Sequence, residues 1–370
     1  MSTDTLNFLP IEKITSGVGA LREVSEKFAG SRVCLVTSRS LHRNLAGSGE
    51  FEALTTHAGA VDTVFAQAHV PADLVEELAA SLQATTPDYI LGIGGGSVFD
   101  LIKAALAQVS DAGRRRPSFV AVPTTLSGAE FAHFYGVTVT EDGTTRKKSF
   151  VRSDVVANEI VLDGEWARHT PDQLWVSTGL KALDHAVEAF IATGPNVFLE
   201  ELLLGGIRRM SAALRQEASE PSVDNRQRAL VAAWHCYPFP ASMTLGLSHR
   251  IGHALGGRFH VSHGLTSGVA LPAVMDAVHR SGAVDLSRIA QALAGGGDPG
   301  SQQAGALMRA LVSDLGLPTT LTQLGLEGSD VDILAEEVAR EFPDSLAVLG
   351  PEESAASRRE RLQQLLVSVQ

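Results

Sequence analysis

The fold class predicted from this sequence is an α/β N-terminal unit, a parallel sheet covered by helices, followed by an all-α C-terminal unit. Two observations carry it. In the first 165 or so residues, short β-branched runs alternate with helical stretches, whereas beyond Pro171 long Ala/Leu-rich segments dominate. At 370 residues the chain is also too long for one small core and fits two domains of ordinary size. The expected division is residues 1–165 and 166–370, with no internal repeat and no low-complexity tail.

In order along the chain, Arg32–Thr37, Asp62–Phe65, Asp88–Ile93 and Ser118–Val122 read as strands, with helices at Ala72–Gln83 and Val98–Val109 between them. Strands separated by helices imply a parallel sheet covered on both faces. Val137–Thr140, a turn at Glu141–Gly143 and a run at Glu159–Asp163 suggest a hairpin-like excursion. Helical periodicity then marks Gln173–Thr193, Glu200–Gln216, Arg226–Trp234, Leu286–Ala294, Gln302–Leu315 and Ser354–Val369, with a turn signal at Gly295–Pro299.

A hydrophobic content of 44% with 19% charged residues describes a soluble globular protein. The net charge of −12 argues against nucleic acid and anionic membranes as partners, so an anionic small ligand needs a local positive site. Cys34 and Cys236 sit among apolar or aromatic neighbours and read as buried thiols. The polar start, with no basic segment before an apolar run, and the lack of any run of membrane-spanning length predict a cytoplasmic protein.

Two loops carry a nucleotide signal. Gly94, Gly95, Gly96 and Ser97, with Asp100 and Lys103 behind them, follow an apolar strand and open a helix. Bare backbone N–H groups there can meet a pyrophosphate at the helix's positive end, although Ser97 breaks the G-x-G-x-x-G fingerprint. Thr124, Thr125 and Ser127 also follow a strand, at the end where open α/β sheets bind ligands.

The second signal is a set of histidines with a lysine among them. Lys181 and His185 share a helix face, and His249, His253 and His263 follow further on. Three His with a carboxylate at position 181 would make a metal site, but a fixed cation stands there. Asp184 is expected to leave that face, since one residue turns a helix by about 100°.

Together these segments resemble the iron-containing (group III) alcohol dehydrogenase superfamily, which shares its fold with dehydroquinate synthase and glycerol dehydrogenase. The anchors are Gly94–Ser97 with Asp100 and Lys103, then Pro123–Gly128, Lys147, Asp163, His185, His249, His253 and His263-Gly264. The resemblance implies a Rossmann-like NAD(P)-binding domain, a helical catalytic domain and hydride transfer between them. It implies that Lys147, Thr124, Thr125 and Ser127 contact the cofactor, that His253 lies beside the substrate, and that relatives are dimers or larger, here a homodimer.

In metal-dependent members an Asp and three His hold the ion, and the matching positions are Lys181, His185, His249 and His263. The pattern is closest to the maleylacetate reductase branch, described as needing no metal, which carries a non-acidic residue at position 181 and a basic one where Arg250 stands. That branch usually shows neutral Asn where this chain has Lys181.

A lysine beside a divalent ion is costly. At about 4 Å and an effective dielectric near 20, one unit pair interacts by roughly 4 kcal/mol, and a divalent charge roughly doubles it. The expectation is therefore a metal-free site in which Lys181 replaces the ion's charge, stabilising the oxygen that becomes negative as a carbonyl or conjugated enone takes a hydride. The catalytic set is Lys181, His185, His249, His253 and His263, with Arg250 and His133 binding a small anionic substrate such as maleylacetate or another oxo acid. The alternative is an alcohol dehydrogenase holding Fe2+ or Zn2+ through His185, His249 and His263; a dehydroquinate synthase-like lyase and a nucleotide-binding member without catalysis are more distant. For the cofactor, Ser38 stands where an acidic residue would select NAD, and Arg39 can pair with a 2′-phosphate, favouring NADP(H) with NAD(H) possible.

Overall fold

The computed structural model describes residues 4–45, 49–141, 144–300, 302–350 and 353–370, with side chains left undescribed at 50, 53, 55, 56, 141, 144, 145 and 263. The elements run β1 (Lys13–Ser16), α1 (Ala20–Ser25), β2 (Arg32–Ser38), α2 (Arg39–Leu45), α3 (Gly49–His57), β3 (Ala60–Ala66), α4 (Ala72–Thr85), β4 (Tyr89–Gly94), α5 (Gly96–Asp111), β5 (Ser118–Pro123), β6 (Phe134–Glu141), β7 (Thr144–Val151) and β8 (Glu159–Leu162). Helices then take over: α6 (Gly164–Ala167), α7 (Asp172–Thr193), α8 (Glu200–Ser219), α9 (Val223–Cys236), α10 (Leu247–Phe259), α11 (His263–Ser281), α12 (Ser287–Leu293), α13 (Ala304–Asp314), α14 (Gly328–Glu341) and α15 (Ala355–Val367).

Six strands form one sheet in the order β1-β8-β5-β4-β2-β3, every pair parallel. Its central strands are apolar on both faces because helices cover both, as a parallel sheet requires. Val33, Leu35, Leu91, Ile93, Val120 and Val122 face one cluster with Leu21, Leu41 and Leu45 of the helices on that side. Alternate residues Cys34, Val36, Ile90, Phe119 and Ala121 face the larger core, which runs through α4 and α5 into the helical part. From β2 the chain moves outward to β3, then returns to the other side of β2 as β4. The strand order therefore reverses between β2 and β4, the place where such sheets open a crevice at their carboxyl ends.

One expectation is corrected. The run at 159–163 is not part of a hairpin with 137–140: residues 159–162 form β8, between β1 and β5 in the parallel sheet. The partner of β6 is β7, antiparallel, with Thr138 opposite Lys147. In sequence β7 is Thr-Thr-Arg-Lys-Lys-Ser-Phe-Val, too polar to announce a strand, whereas Ile160, Val161 and Leu162 are buried as an interior strand should be. Of the expected turn at Glu141–Gly143, residues 142 and 143 lie outside the described residues. β1, β7 and the helices α1, α2, α3, α6, α10, α11 and α14 add to the elements read from sequence; α11 carries Pro272 in its interior, which hides its periodicity. Both cysteines are buried and free, and burial pushes the Cys34 thiol up to about 12. Among the described residues no helix is long and apolar enough to cross a membrane.

Candidate active site

The nucleotide loops meet at the sheet's carboxyl edge. Thr124 N–H donates to the Gly94 carbonyl at 2.8 Å, continuing the β4–β5 ladder one step past the strands. Gly95 faces Thr125 so closely that a Cβ there would lie 2.8 Å from the threonine Cγ2 and 3.0 Å from its Oγ1. Thr124 and Thr125 are buried, and the Thr125 hydroxyl lies 3.3 Å from Ser127 Oγ. The first turn of α5, with Gly96 and Ser97, thus opens against a wall of hydroxyls, an arrangement suited to a phosphate.

Helix α5 also anchors the second loop. Fully buried Lys103 donates to the carbonyls of Ala129 (2.6 Å) and Phe134 (3.1 Å), and Asp100 accepts from Gly136 N–H at 3.2 Å. Lys147 lies across Gly136, near enough that its charge lowers the Asp100 pKa, although burial raises that pKa more. His133 stands by this clamp: its ring centroid is 4.2 Å from that of Phe134, and burial and then Lys103 lower its pKa. At the carboxyl end of β2, Ser38 Oγ accepts from Leu41 N–H at 3.1 Å, and the Arg39 guanidinium stacks 4.6 Å over the Phe65 ring.

Glu130 is fully buried beside Lys103, and neither carboxylate oxygen has a hydrogen-bond partner among the described residues. Burial pushes its pKa up to about 7, against the pull of the Lys103 charge. Because this folded-state value exceeds the unfolded one, the unfolded chain releases the proton first, and stability falls as pH rises from about 4.5 to about 7. Denaturant titrations of Glu130→Gln should show that slope flattened, with a difference on the order of 3 kcal/mol between the two ends of the range.

The second half of the site is built on α7 and α10. Lys181, Asp184, His185 and Glu188 recur on α7 at the i, i+3, i+4, i+7 spacing of one helix face, and all four are buried. Helix α10 brings Ser248, His249, Arg250 and His253. Lys181 Nζ donates to Asp184 Oδ2 at 2.6 Å and lies 2.9 Å from His249 Nδ1, while Ser248 Oγ donates to Asp184 Oδ1 at 2.5 Å. The expectation that Asp184 leaves this face is corrected: a long lysine side chain reaches the i+3 carboxylate. Glu188 Oε2 accepts from His249 N–H at 3.3 Å, and burial, then the Asp184 charge, pushes its pKa up to about 8.

His185 stacks on Tyr237, centroids 4.6 Å apart, with its ring 5.7 Å from that of His249. The positive φ of Gly128 (+73°) lets the second loop pass close to this ring: a Cβ there would lie 3.8 Å from His185 Nδ1. That loop is also tied to α7, since Leu126 N–H donates to Thr178 Oγ1 at 3.1 Å, one turn before Lys181. Arg250 lies 5.2 Å over the Phe342 ring, and His253 approaches the same ring edge-on at 6.0 Å. Burial lowers the His253 pKa, followed by the charges of Lys147, Arg250 and Lys181 on β7, α10 and α7, against the pull of Glu341. The His263 side chain lies outside the described residues; its backbone opens α11.

The sequence does not single out Ser248, Glu188, Glu130, Tyr237 or Phe342, and the helix rotation sets Asp184 aside. An opposite charge three residues from Lys181 was the available signal for Asp184. Nothing local marks Phe342 or Ser248, which reach the site only through tertiary packing.

Two family profiles span the chain: "Iron-containing alcohol dehydrogenase" matches residues 11–164, and "Fe-containing alcohol dehydrogenase family, C-terminal" matches 175–366. A maleylacetate reductase of Rhizobium sp. (strain MTP-10005) is 32% identical over 293 residues, 78% of each chain. Maleylacetate reductase 2 of Cupriavidus pinatubonensis is 31% identical over 313 residues, 83% of this chain and 82% of that one. The solved maleylacetate reductase of Agrobacterium tumefaciens covers 100% of this chain and 98% of its own at 24% identity, with a TM-score of 0.82, a likeness of fold. The chain belongs to the iron-containing alcohol dehydrogenase family and is an NAD(P)-dependent oxidoreductase acting on a small substrate.

Proposed function

We propose that this protein is a metal-independent NAD(P)H-dependent reductase of a small anionic carbonyl or enone, maleylacetate or a similar oxo acid, with residues 1–165 holding the cofactor and 166–370 the substrate. The observation that carries this reading is the Lys181 ammonium, held between Asp184 and His249. A divalent ion does not fit this donor set. One side chain is a cation already hydrogen-bonded to a candidate ligand, His249, and the buried carboxylate beside it is neutralised by that cation. His185 and His249 stand near each other, so the iron or zinc reading with His263 as third ligand is the competing outcome for the tests below.

Gly94, Gly95, Gly96, Ser97, Thr124, Thr125 and Ser127 fit a dinucleotide, with hydroxyls and a helix N-terminus converging where the two loops pack too closely to admit a Cβ at Gly95. When bound, the reduced cofactor supplies a hydride. The protein's own groups do the rest. Lys181 sets a positive charge behind His249 where the substrate oxygen becomes negative. His253, its pKa lowered, stands as a neutral imidazole among cations. Arg250, with Lys147, gives the anionic substrate the local positive field that a chain of net charge −12 otherwise lacks.

Two expectations follow. Arg250→Ala should raise KM for an oxo acid about 10- to 100-fold while changing KM for a neutral aldehyde less than threefold, read by steady-state kinetics on both. For the cofactor, Ser38 and Arg39 favour NADP(H). Ser38→Asp should lower kcat/KM for NADPH about 100-fold and spare NADH, because the new carboxylate repels the 2′-phosphate. The experiment for the whole reading is NADPH oxidation in chelator across oxo acids, aldehydes and conjugated enones. Turnover confined to neutral aldehydes, or none with net NADPH consumption, would contradict it.

A further inference from the structure

We infer that Phe342 is a positioning residue that sets substrate specificity: its ring holds the Arg250 guanidinium beside His253 with the donors of that guanidinium unspent, so that the site takes a carboxylate-bearing substrate in preference to a neutral one. The inference deepens the proposed reductase reading and rests on it for the substrate class.

Arg250 and His253 stand three residues apart on α10 and so share a face of that helix. Phe342 closes this face from the end of α14, which packs on α10. The guanidinium carbon lies 5.2 Å over the ring centroid, inside the distance at which a ring face attracts a cation. The His253 ring meets the same ring edge-on, with centroids 6.0 Å apart and planes at 72°. One side chain thus sets the spacing between a cation and an imidazole.

A half-buried arginine ordinarily spends its donors on a carboxylate, as buried Arg226 does on Glu217 at 2.7 Å and Asp172 at 2.5 Å. Arg250 is half-buried as well, yet among the described residues its side chain has neither a hydrogen bond nor an ion pair. Glu341, the carboxylate next to Phe342, pairs with Arg340 at 3.3 Å. A phenyl ring carries no oxygen or nitrogen acceptor, so the contact with Phe342 holds the guanidinium and leaves its planar fork of N–H groups for a ligand. That fork is the shape that grips a carboxylate through two bonds at once. An entering carboxylate satisfies it, whereas a neutral substrate leaves it unpaired, and this difference is what discriminates between them.

The main chain keeps the ring in place. Pro343 disfavours a helical conformation at the residue before it, and α14 ends at Phe342 with φ −132° and ψ 50°. Phe342 N–H donates to the Val338 carbonyl at 2.9 Å, and its own carbonyl accepts from Ser345 N–H at 3.1 Å and Ser345 Oγ at 2.7 Å. The ring is therefore held from the helix on one side and from the following turn on the other.

The test uses the full chain saturated with NADPH, in chelator, and two readouts: calorimetric titration of succinate, a dicarboxylate with no carbonyl to reduce, and steady-state kinetics on maleylacetate and on butanal. Phe342→Leu keeps apolar bulk and removes the ring face. It should weaken succinate binding about tenfold and raise KM for maleylacetate about tenfold with kcat within twofold, while KM for butanal moves less than threefold. Phe342→Tyr, which keeps the ring, should return both values to within threefold of wild type. In an Arg250→Ala background Phe342→Leu should add no further loss, because the ring acts through the guanidinium. Phe342→Met serves in place of the leucine variant if that chain does not fold. Losses that multiply in the double variant overturn the inference, as does a lower Tm with succinate binding and KM intact, the mark of mere packing. A wild type that binds no succinate overturns it too. Succinate binding needs no turnover, so the expected pattern in a protein that reduces no oxo acid supports this role for Phe342 and sinks the substrate reading instead.

Discussion

Lys181→Asp abolishes turnover in chelator and creates an affinity for divalent ions that the wild type lacks; this is the largest effect we expect. The substitution removes the cation that neutralises Asp184 and leaves three acidic side chains on the inner face of α7, at 181, 184 and 188, beside His185 and His249. Removing one partner of a buried ion pair costs about 3–5 kcal/mol, since the remaining charge has no compensation. The variant should therefore melt below the wild type in chelator. Fe2+ or Zn2+ should restore much of the loss, because an ion at 100 times its Kd contributes about 2.7 kcal/mol to the state that binds it. Melting curves with and without metal read the affinity, and oxo acid reduction in chelator reads the catalytic loss. Metal-free turnover unchanged from wild type would show Lys181 to be a bystander.

The second large effect is on the cofactor. Gly95→Val puts a branched side chain where even a Cβ would come within 2.8 Å of Thr125. Thr125 is buried, short and β-branched, so it cannot swing aside, and the two loops must separate. The expected result is an NADPH Kd raised about 100-fold in a fluorescence titration, equivalent to about 2.7 kcal/mol. The fold should persist, because the strain falls at the carboxyl edge of the sheet rather than in the core beneath it. An NADPH Kd within threefold of wild type would remove the glycine turn from the cofactor site.

Much of this architecture was legible in the chain, for physical reasons that particular elements illustrate. β2, β4 and β5 announce themselves because a strand buried on both faces must be apolar throughout, and the glycines after β4 mark a backbone that has to come close to something. β7 is hidden because residues 146, 147 and 149–151 are exposed and the strand carries Arg and Lys, whereas 159–163 is a run apolar enough to belong inside the main sheet. The same limit governs the site. Lys181 stood out by its charge among histidines at spacings that resemble a known family's. The role of Asp184 did not, because rotation about the helix axis alone turns it away and only the reach of the lysine side chain brings the two together. Ser248 and Phe342 have no signature of their own; they matter through what α10 and the chain after α14 bring them against.

The central claim, that a lysine does here the electrostatic work of an ion, has a direct measurement: the metal content of the purified protein, determined together with its NADPH-dependent oxo acid reduction before and after exhaustive chelation. The account predicts substoichiometric metal and an unchanged rate. Stoichiometric iron or zinc whose removal abolishes the activity, and whose return restores it, would contradict the account.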